Sequence, residues 1–249
     1  MQRLIAIIAG LLLVAGIGVS LAPATLADGR LAAATNGALR LQDARGTVWR
    51  GEGVLTDARA SWQLPFAWTI DATTLPAGEL RVALAPVGTA DEPGGVVGIA
   101  ARQVSLRDVR ATLPAQALAA ALPMRNAPAL GGDVNIDAPS FRWTGTAGDG
   151  ALSLRWTRAR IATGAGRLDL GTVDVAIAPQ GSRLAGRVSN AGGEVRVTGT
   201  LGLSAEGNDG DLTITPLPDA PPAMLRALAT LATPDASGAV RLTWRNRNR

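Results

Sequence analysis

The feature that most constrains the fold of this chain is a two-residue alternation of apolar and polar side chains that recurs from residue 37 onward. Leu80, Val82 and Leu84, for example, are separated by a charged and a small residue. Successive side chains of a β-strand point to opposite faces, so the alternation predicts strands with one apolar face. Similar runs are Leu152–Trp156, Val173–Ile177 and Val240–Trp244. Turn sequences such as Gly148-Asp149-Gly150 separate the runs, which predicts consecutive antiparallel hairpins.

Two segments, residues 114–122 and 221–232, lack this alternation and are rich in Ala and Leu. Each begins with Pro, and each is followed closely by another Pro. Pro is favoured in the first turn of a helix and cannot continue one. The two segments are therefore predicted to form short helices.

An internal repeat of roughly 90 to 110 residues relates the two halves of the chain. The segments around Trp49 and Trp143 match each other, and a predicted helix and a closing strand follow in both halves. The abundance of Ala, Val, Leu and Gly leaves a coincidental similarity open. We expect two similar units, residues 28–138 and 139–249, in one domain. The apolar face of their sheet would form a groove unless something fills it.

The N-terminal segment, residues 1–27, contains an uncharged apolar run from Leu4 to Ala22. At about 1.5 Å per residue its 19 positions approach the roughly 30 Å of a bilayer core. This predicts a transmembrane anchor with Arg3 on the cytoplasmic side. Small residues at 22–27 leave a cleaved signal peptide as the alternative. Both interpretations place the remainder outside the cytoplasm.

The predicted fold class is therefore mainly β. It combines an antiparallel, curved or twisted sheet, built from two similar hairpin units with two short helices, with an N-terminal transmembrane helix.

The pI of about 11.2 would be typical of a nucleic-acid-binding protein. However, the chain has no Lys, His, Tyr or Cys, so few groups titrate between the carboxylates and Arg. A net charge of only +4 then produces the extreme value. The Arg residues are scattered singly through the strand-like runs, and we therefore predict no nucleic-acid partner.

Catalysis by proton transfer or nucleophilic attack mostly uses His, Cys, Lys, Tyr or two converging carboxylates. The first four residue types are absent, and the five Glu occur singly beside Gly or Pro. Asp209 and Asp211 lack the third ligand and the spaced Glu of a calcium loop. Gly164-Ala165-Gly166 does not continue into a dinucleotide-binding motif. We predict no catalytic, cofactor or metal site, and hence no enzyme.

Six Trp residues are expected to fill a core that has few other aromatic side chains. They are Trp49, Trp62, Trp68, Trp143, Trp156 and Trp244.

After the apolar segment, residues 37–53 read GALRLQDARGTVWRGEG, which contains a GTxWxG-type core. Matching features follow along nearly the whole chain: Trp68-Thr69-Ile70-Asp71, the Leu-rich segment 221–232 and Leu242-Thr243-Trp244. In these features the chain resembles type II secretion system protein N, the general secretion pathway protein N family.

The resemblance implies a single-pass inner-membrane protein, anchored by residues 4–22, with its C-terminal domain in the periplasm. It further implies an accessory role in the apparatus that moves folded proteins from the periplasm across the outer membrane. Other envelope subunits of that apparatus would be its partners. No catalytic or cofactor residues come with the resemblance. Within the motif, Gly46 and Gly51 would permit tight turns and Trp49 would pack.

Two functions thus follow from the sequence. The first is a secretion component that contacts other subunits through its sheet edges or groove. The alternative is a lipid-binding or lipid-transfer protein similar to AsmA-like envelope proteins, in which the apolar face of the sheet shields acyl chains. The sequence does not separate the two.

Overall fold

The computed structural model describes residues 22–87, 94–117, 129–163, 166–218 and 220–247. The chain divides into two compact units at Pro93 and Gly94. Within each unit, strands that follow one another in sequence are neighbours in the sheet. Their pairing is antiparallel. The predicted class, mainly β with consecutive antiparallel hairpins, is confirmed.

Unit 1 combines one α-helix, four strands and a short 3₁₀ helix in its described part. They are α1 (Thr25–Ala34), β1 (Leu39–Gly46), β2 (Arg50–Asp57), β3 (Gln63–Asp71), the 3₁₀ helix Ala72–Ala77 and β4 (Glu79–Ala85). The carboxylate of Asp71 accepts the Thr73 N–H at 3.0 Å and so caps the 3₁₀ helix. Gly78 ends this helix with a positive φ of 73° and leads into β4.

The core of unit 1 forms where α1 packs against the apolar face of the four strands. Ala24, just before α1, forms a buried cluster with Leu41 and Trp68, and Leu31 of α1 packs against this cluster. Leu41 and Trp68 are 8% and 7% exposed. The helix therefore covers this face beside β1.

Unit 2 is a longer meander of nine described strands and one helix. They are β5 (Gly95–Ala100), β6 (Gln103–Pro114), β7 (Ala129–Trp143), β8 (Gly148–Thr163), β9 (Gly166–Gln180), β10 (Arg183–Ala191), β11 (Val195–Ser204), β12 (Gly207–Pro216), α2 (Pro222–Ala229) and β13 (Val240–Arg247). The alternating runs of the sequence lie in these strands, and short turns join most of them.

The main core of unit 2 lies beneath α2. Met224 and Leu228 of this helix are 2% and 1% exposed, and they belong to one cluster with Val195, Ile214 and Val240 of the strands below. Pro222 stands in the first turn of α2, where its missing N–H costs no helical hydrogen bond. The predicted helix at 221–232 is thus present as Pro222–Ala229.

The other predicted elements are only partly covered by the described residues. Residues 115–117 form one helical turn after β6, and residues 118–122 of the other predicted helix lie outside the described part. The predicted anchor, residues 4–22, lies outside it except for Ala22. No helix in the described ranges is long and apolar enough to cross a membrane. The proposed boundary at residues 138 and 139 falls within β7, and the internal repeat stays a prediction.

Candidate interaction surface

The register of unit 2 gives its sheet one apolar and one polar face. One row of directly paired residues crosses six strands on the apolar face: Leu154, Val175, Val188, Gly199, Leu212 and Leu242. The neighbouring row points to the opposite face: Arg155, Asp174, Ser189, Thr198, Thr213 and Arg241. The alternation read from the sequence therefore becomes two chemically different surfaces.

The apolar face is covered unevenly. Helix α2 lies over one end of β9–β13, whereas apolar side chains at the other end, near the hairpin turns, are more exposed. There the side chains of Ile99, Val104, Leu203 and Trp244 are 41–49% exposed. These four residues, together with the half-buried Trp143 and Leu184, are called the tip row below. A row of exposed apolar side chains is typical of a surface that contacts a partner or a lipid.

A depression of about 430 Å³ opens beside the same hairpin turns. Its lining includes Arg183, Glu206, Asp209 and Arg245, so it is mainly polar. The carboxylate of Asp209 is already bound by Arg183, at 3.0 and 3.1 Å. This depression therefore does not provide the apolar groove that the sequence predicted.

The polar face carries exposed pairs of Arg and Asp that join different strands. These pairs are Arg110–Asp137, Arg158–Asp133, Arg155–Asp174, Arg183–Asp209 and Arg241–Asp211. Exposed pairs of this kind contribute at most about 1 kcal/mol each. The guanidinium of Arg241 hydrogen-bonds to Asp211, at 2.8 and 2.5 Å, and thereby lowers the pKa of that carboxyl. The main effect of the five Arg–Asp pairs is to hold opposite charges next to each other on the polar face.

Strand β13 lies at an edge, since β12 is its one neighbour among the described strands. The N–H of Val197 in β11 donates to the side chain of Asn190 in β10, at 2.7 Å, so Val197 does not bond to β12. Ile214, the residue of β12 opposite Val197, consequently forms its backbone hydrogen bonds with Val240 of β13. Because these bonds alternate along an antiparallel pair, Val240, Leu242 and Trp244 direct their backbone groups toward β12. The backbone groups of three residues point away from the sheet: Arg241, Thr243 and Arg245.

The GTxWxG-type motif is a structural element of unit 1. Gly46 has a φ of 88°, and the following turn closes with the Thr47 N–H donating to the Arg50 carbonyl at 2.9 Å. The prediction of a tight turn at Gly46 is therefore confirmed.

Gly51 has a different role from the one predicted. It lies within β2, where a Cβ atom would collide with the indole ring of Trp68 and the carbonyl of Arg45. The Trp68 Nε1–H donates to the Val48 carbonyl at 3.0 Å, which fixes the ring over the motif. The motif thus joins β1 and β2 to the segment Trp68-Thr69-Ile70-Asp71 of β3, a connection that residue spacing alone did not reveal.

The six Trp residues divide into three groups. Trp62 and Trp68 are buried, as predicted, although the Nε1 of Trp62 has no acceptor within the described ranges. Trp49, Trp143 and Trp156 are half-buried. The prediction of a core position is wrong for Trp244, which is 41% exposed on the tip row, because β12 is the one neighbour of β13 among the described strands.

These features coincide with a family pattern. A family model described as Type II secretion system (T2SS), protein N, matches residues 37–243. The chain belongs to this family. The match begins just before β1 and ends at Thr243, so it includes the motif, strands β1–β12 and the first half of β13, whereas helix α1 precedes it. No curated protein and no solved structure matches the chain.

Membership of the T2SS protein N family confirms the resemblance and supports a role in type II secretion. The family consists of secretion-system components and is not a known enzyme family. Membership is consistent with an envelope location and with contacts to other subunits. Among the residues that the structure describes, no group of three or more potential metal ligands occurs. The absence of catalytic, cofactor and metal sites stays a prediction.

Proposed function

We propose that this chain is a non-enzymatic component of the type II secretion system that assists the export of folded proteins across the outer membrane. In this proposal residues 4–22 anchor it in the inner membrane as a single span, and its β-rich part lies in the periplasm. The observation that carries the proposal is the family match over residues 37–243. Two surfaces of unit 2 support a binding role, namely the tip row and the open edge of β13.

The decisive experiment is deletion of the gene, followed by comparison of the exoproteins in the medium with those in the periplasm. Loss of this component should retain folded exoproteins in the periplasm, and the intact gene on a plasmid should restore their export. A periplasmic protein that is not an export substrate serves as the leakage control. Unchanged export in the deletion strain would refute the proposed function.

The anchor is tested separately by replacing residues 1–21 with a cleavable signal peptide, which leaves Ala24 and helix α1 in place. The replaced form should move from the membrane to the soluble periplasmic fraction. If the unaltered chain is itself soluble in the periplasm, residues 4–22 are a signal peptide and the anchor is refuted.

The tip row favours a second candidate, an AsmA-like role in binding or transferring envelope lipids in the groove of the sheet. Its exposed side chains form an apolar surface at one end of the sheet. A photo-reactive amino acid at the position of Leu203 should then cross-link phospholipid in cells. The matched control places it at Arg187, on the polar face of β10. Equal lipid labelling at the two positions, or none, would refute this candidate.

A further inference from the structure

The edge of β13 presents backbone hydrogen-bonding groups in a regular row. Arg241, Thr243 and Arg245 direct their N–H and C=O groups away from β12, and no described residue bonds to them. A row of such groups is a template for an additional strand. The template is held in place from within, since Val240 is fully buried beneath α2.

The charges along this edge have one sign. The sequence of β13, VRLTWRNR, contains three Arg and no acidic residue. Elsewhere on the polar face an Arg of one strand faces an Asp of the next, as Arg155 faces Asp174 between β8 and β9. Arg241 follows this pattern toward β12, where it pairs with Asp211. If the same pattern continued, a strand added beyond β13 would carry acidic residues opposite its Arg residues.

Arg245 has the greater capacity for a new partner. Its cross-strand neighbour is Asp209, but both carboxylate oxygens of Asp209 accept hydrogen bonds from Arg183. Arg183 reaches Asp209 across β11 at Gly202, where a Cβ atom would collide with the guanidinium group. Within the described part of the chain, Arg245 has no carboxylate partner.

We propose that the edge of β13 binds an extended acidic segment of a partner protein as an additional antiparallel strand. Carboxylates at positions i and i+4 of that segment would lie opposite Arg241 and Arg245. Apolar side chains at i+1 and i+3 would lie beside Leu242 and Trp244 on the apolar face. The inference rests on the proposed function, because it specifies how a secretion component would hold its partner.

A second copy of this chain fits the edge poorly. Two β13 strands paired symmetrically about Thr243 would place Arg241 of each copy directly opposite Arg245 of the other. Like charges that face each other across strands are destabilising. An acidic segment instead places a carboxylate at each of these positions.

The closing experiment measures binding of a fluorescent peptide with the core Glu-Val-Thr-Val-Glu to the full-length chain in detergent. Thr243→Pro removes an outward N–H, and its ring blocks the approach of another strand while the bonds to β12 remain. This variant should bind the peptide at least about tenfold more weakly than Thr243→Val, its matched control. Equal binding by the two variants would overturn the proposal.

The charge requirement is tested independently, so that the proposal does not depend on one substitution. Arg245→Glu should weaken binding about fivefold or more relative to Arg187→Glu, which changes the net charge equally but lies on β10. A peptide with Gln in place of both Glu should lose a similar factor. The acidic partner would be overturned if neither change weakened peptide binding. It would also be overturned if the chain associated with itself and Thr243→Pro abolished that association.

Export then separates this inference from the proposed function. In the deletion strain, Thr243→Val should restore exoprotein export and Thr243→Pro should not, while both accumulate to the same level. If both restore export, the edge is not used and the inference fails alone. If deletion never affected export, the proposed function itself fails.

Discussion

Strands β1 and β13 are both edge strands of their units, but their outer edges differ. In β1 the outward N–H of Leu39 donates to the hydroxyl of Thr35 at 3.1 Å, and that of Leu41 donates to the carboxylate of Asp28 at 2.8 Å. In β13 the corresponding groups have no bonding partner among the described residues. The outer edge of β1 is thus covered and that of β13 is open, so an additional strand can pair with β13.

The sealing of β1 continues along its length. Ala24 donates to the Gly46 carbonyl at 3.1 Å, and Val48 donates to the Ala22 carbonyl at 2.9 Å. Asp43 has a φ of 51° at a shift of register between β1 and β2, which interrupts the regular edge. The segment before β1 therefore covers the outer edge of β1, whereas no described residue bonds to the outward backbone groups of β13.

The largest predicted effect comes from removing the support of β13. Leu228→Ala should lower the free energy of unfolding by about 2–5 kcal/mol, because a side chain that is 1% exposed leaves a cavity above Val240. The matched control is Leu225→Ala on the same helix, where the side chain is 42% exposed and the cost should be under about 1 kcal/mol. Urea unfolding followed by circular dichroism measures both. Equal losses would mean that α2 does not hold β13 in place.

The next effect tests the motif that aligns β1 with its neighbours. Gly51→Ala should cost about 1–3 kcal/mol, since the new methyl group meets the Trp68 ring and the Arg45 carbonyl. Gly29→Ala in α1 is the opposite control, because among the described residues no atom outside the adjoining backbone of α1 lies within 4 Å of its Cβ position. That change should stabilise the protein by about 0.5–1 kcal/mol through helix propensity. A neutral Gly51→Ala would contradict the packing of Trp68 on this glycine.

The features that the sequence predicted well are those encoded locally. Leu80, Val82 and Leu84 lie in β4, and the Pro at position 222 begins α2, because a period of two and a first-turn Pro act within a few residues. The motif residues around Trp49 also identified the family correctly.

The features that it missed depend on distant residues. Helix α1 carries Gly29 in its interior, and its fixing to β1 through Asp28 and Thr35 exists only once β1 has formed. The role of Gly51 requires the Trp68 ring from the next strand. Which amides of β13 point outward depends on register, since a shift by one residue would exchange Leu242 and Thr243.

A smaller effect is expected from opening the sealed edge of β1. The guanidinium of Arg40, followed by the Leu41 N–H, lowers the pKa of Asp28 from 3.8 to about 2. A lowered pKa means that the carboxylate stabilises the fold above about pH 4, and that this contribution disappears as the pH falls through about 2. Asp28→Ala should therefore cost about 1 kcal/mol at pH 7, and the difference from the wild type should shrink below pH 4.

Urea unfolding at a series of pH values checks this difference, and hydrogen exchange checks its location. The Leu41 amide should exchange faster in Asp28→Ala. Asp174→Ala is the control, since its pair with Arg155 joins two side chains and caps no outward amide. A loss that is the same at pH 2 and pH 7 would contradict the role of the Asp28 carboxylate.

The smallest effect is expected at the open edge itself. Thr243→Pro should change the free energy of unfolding by no more than about 0.5 kcal/mol, because the lost N–H has no partner in the described structure and Pro is tolerated at strand edges. Leu242→Pro, one residue away, removes an N–H that is directed toward β12 and should cost about 3 kcal/mol. Comparable losses at the two positions would show that both face a neighbour, in which case β13 is not an open edge. A large difference means that position 243 affects stability little, so any loss of peptide binding in Thr243→Pro reflects the edge and not the fold.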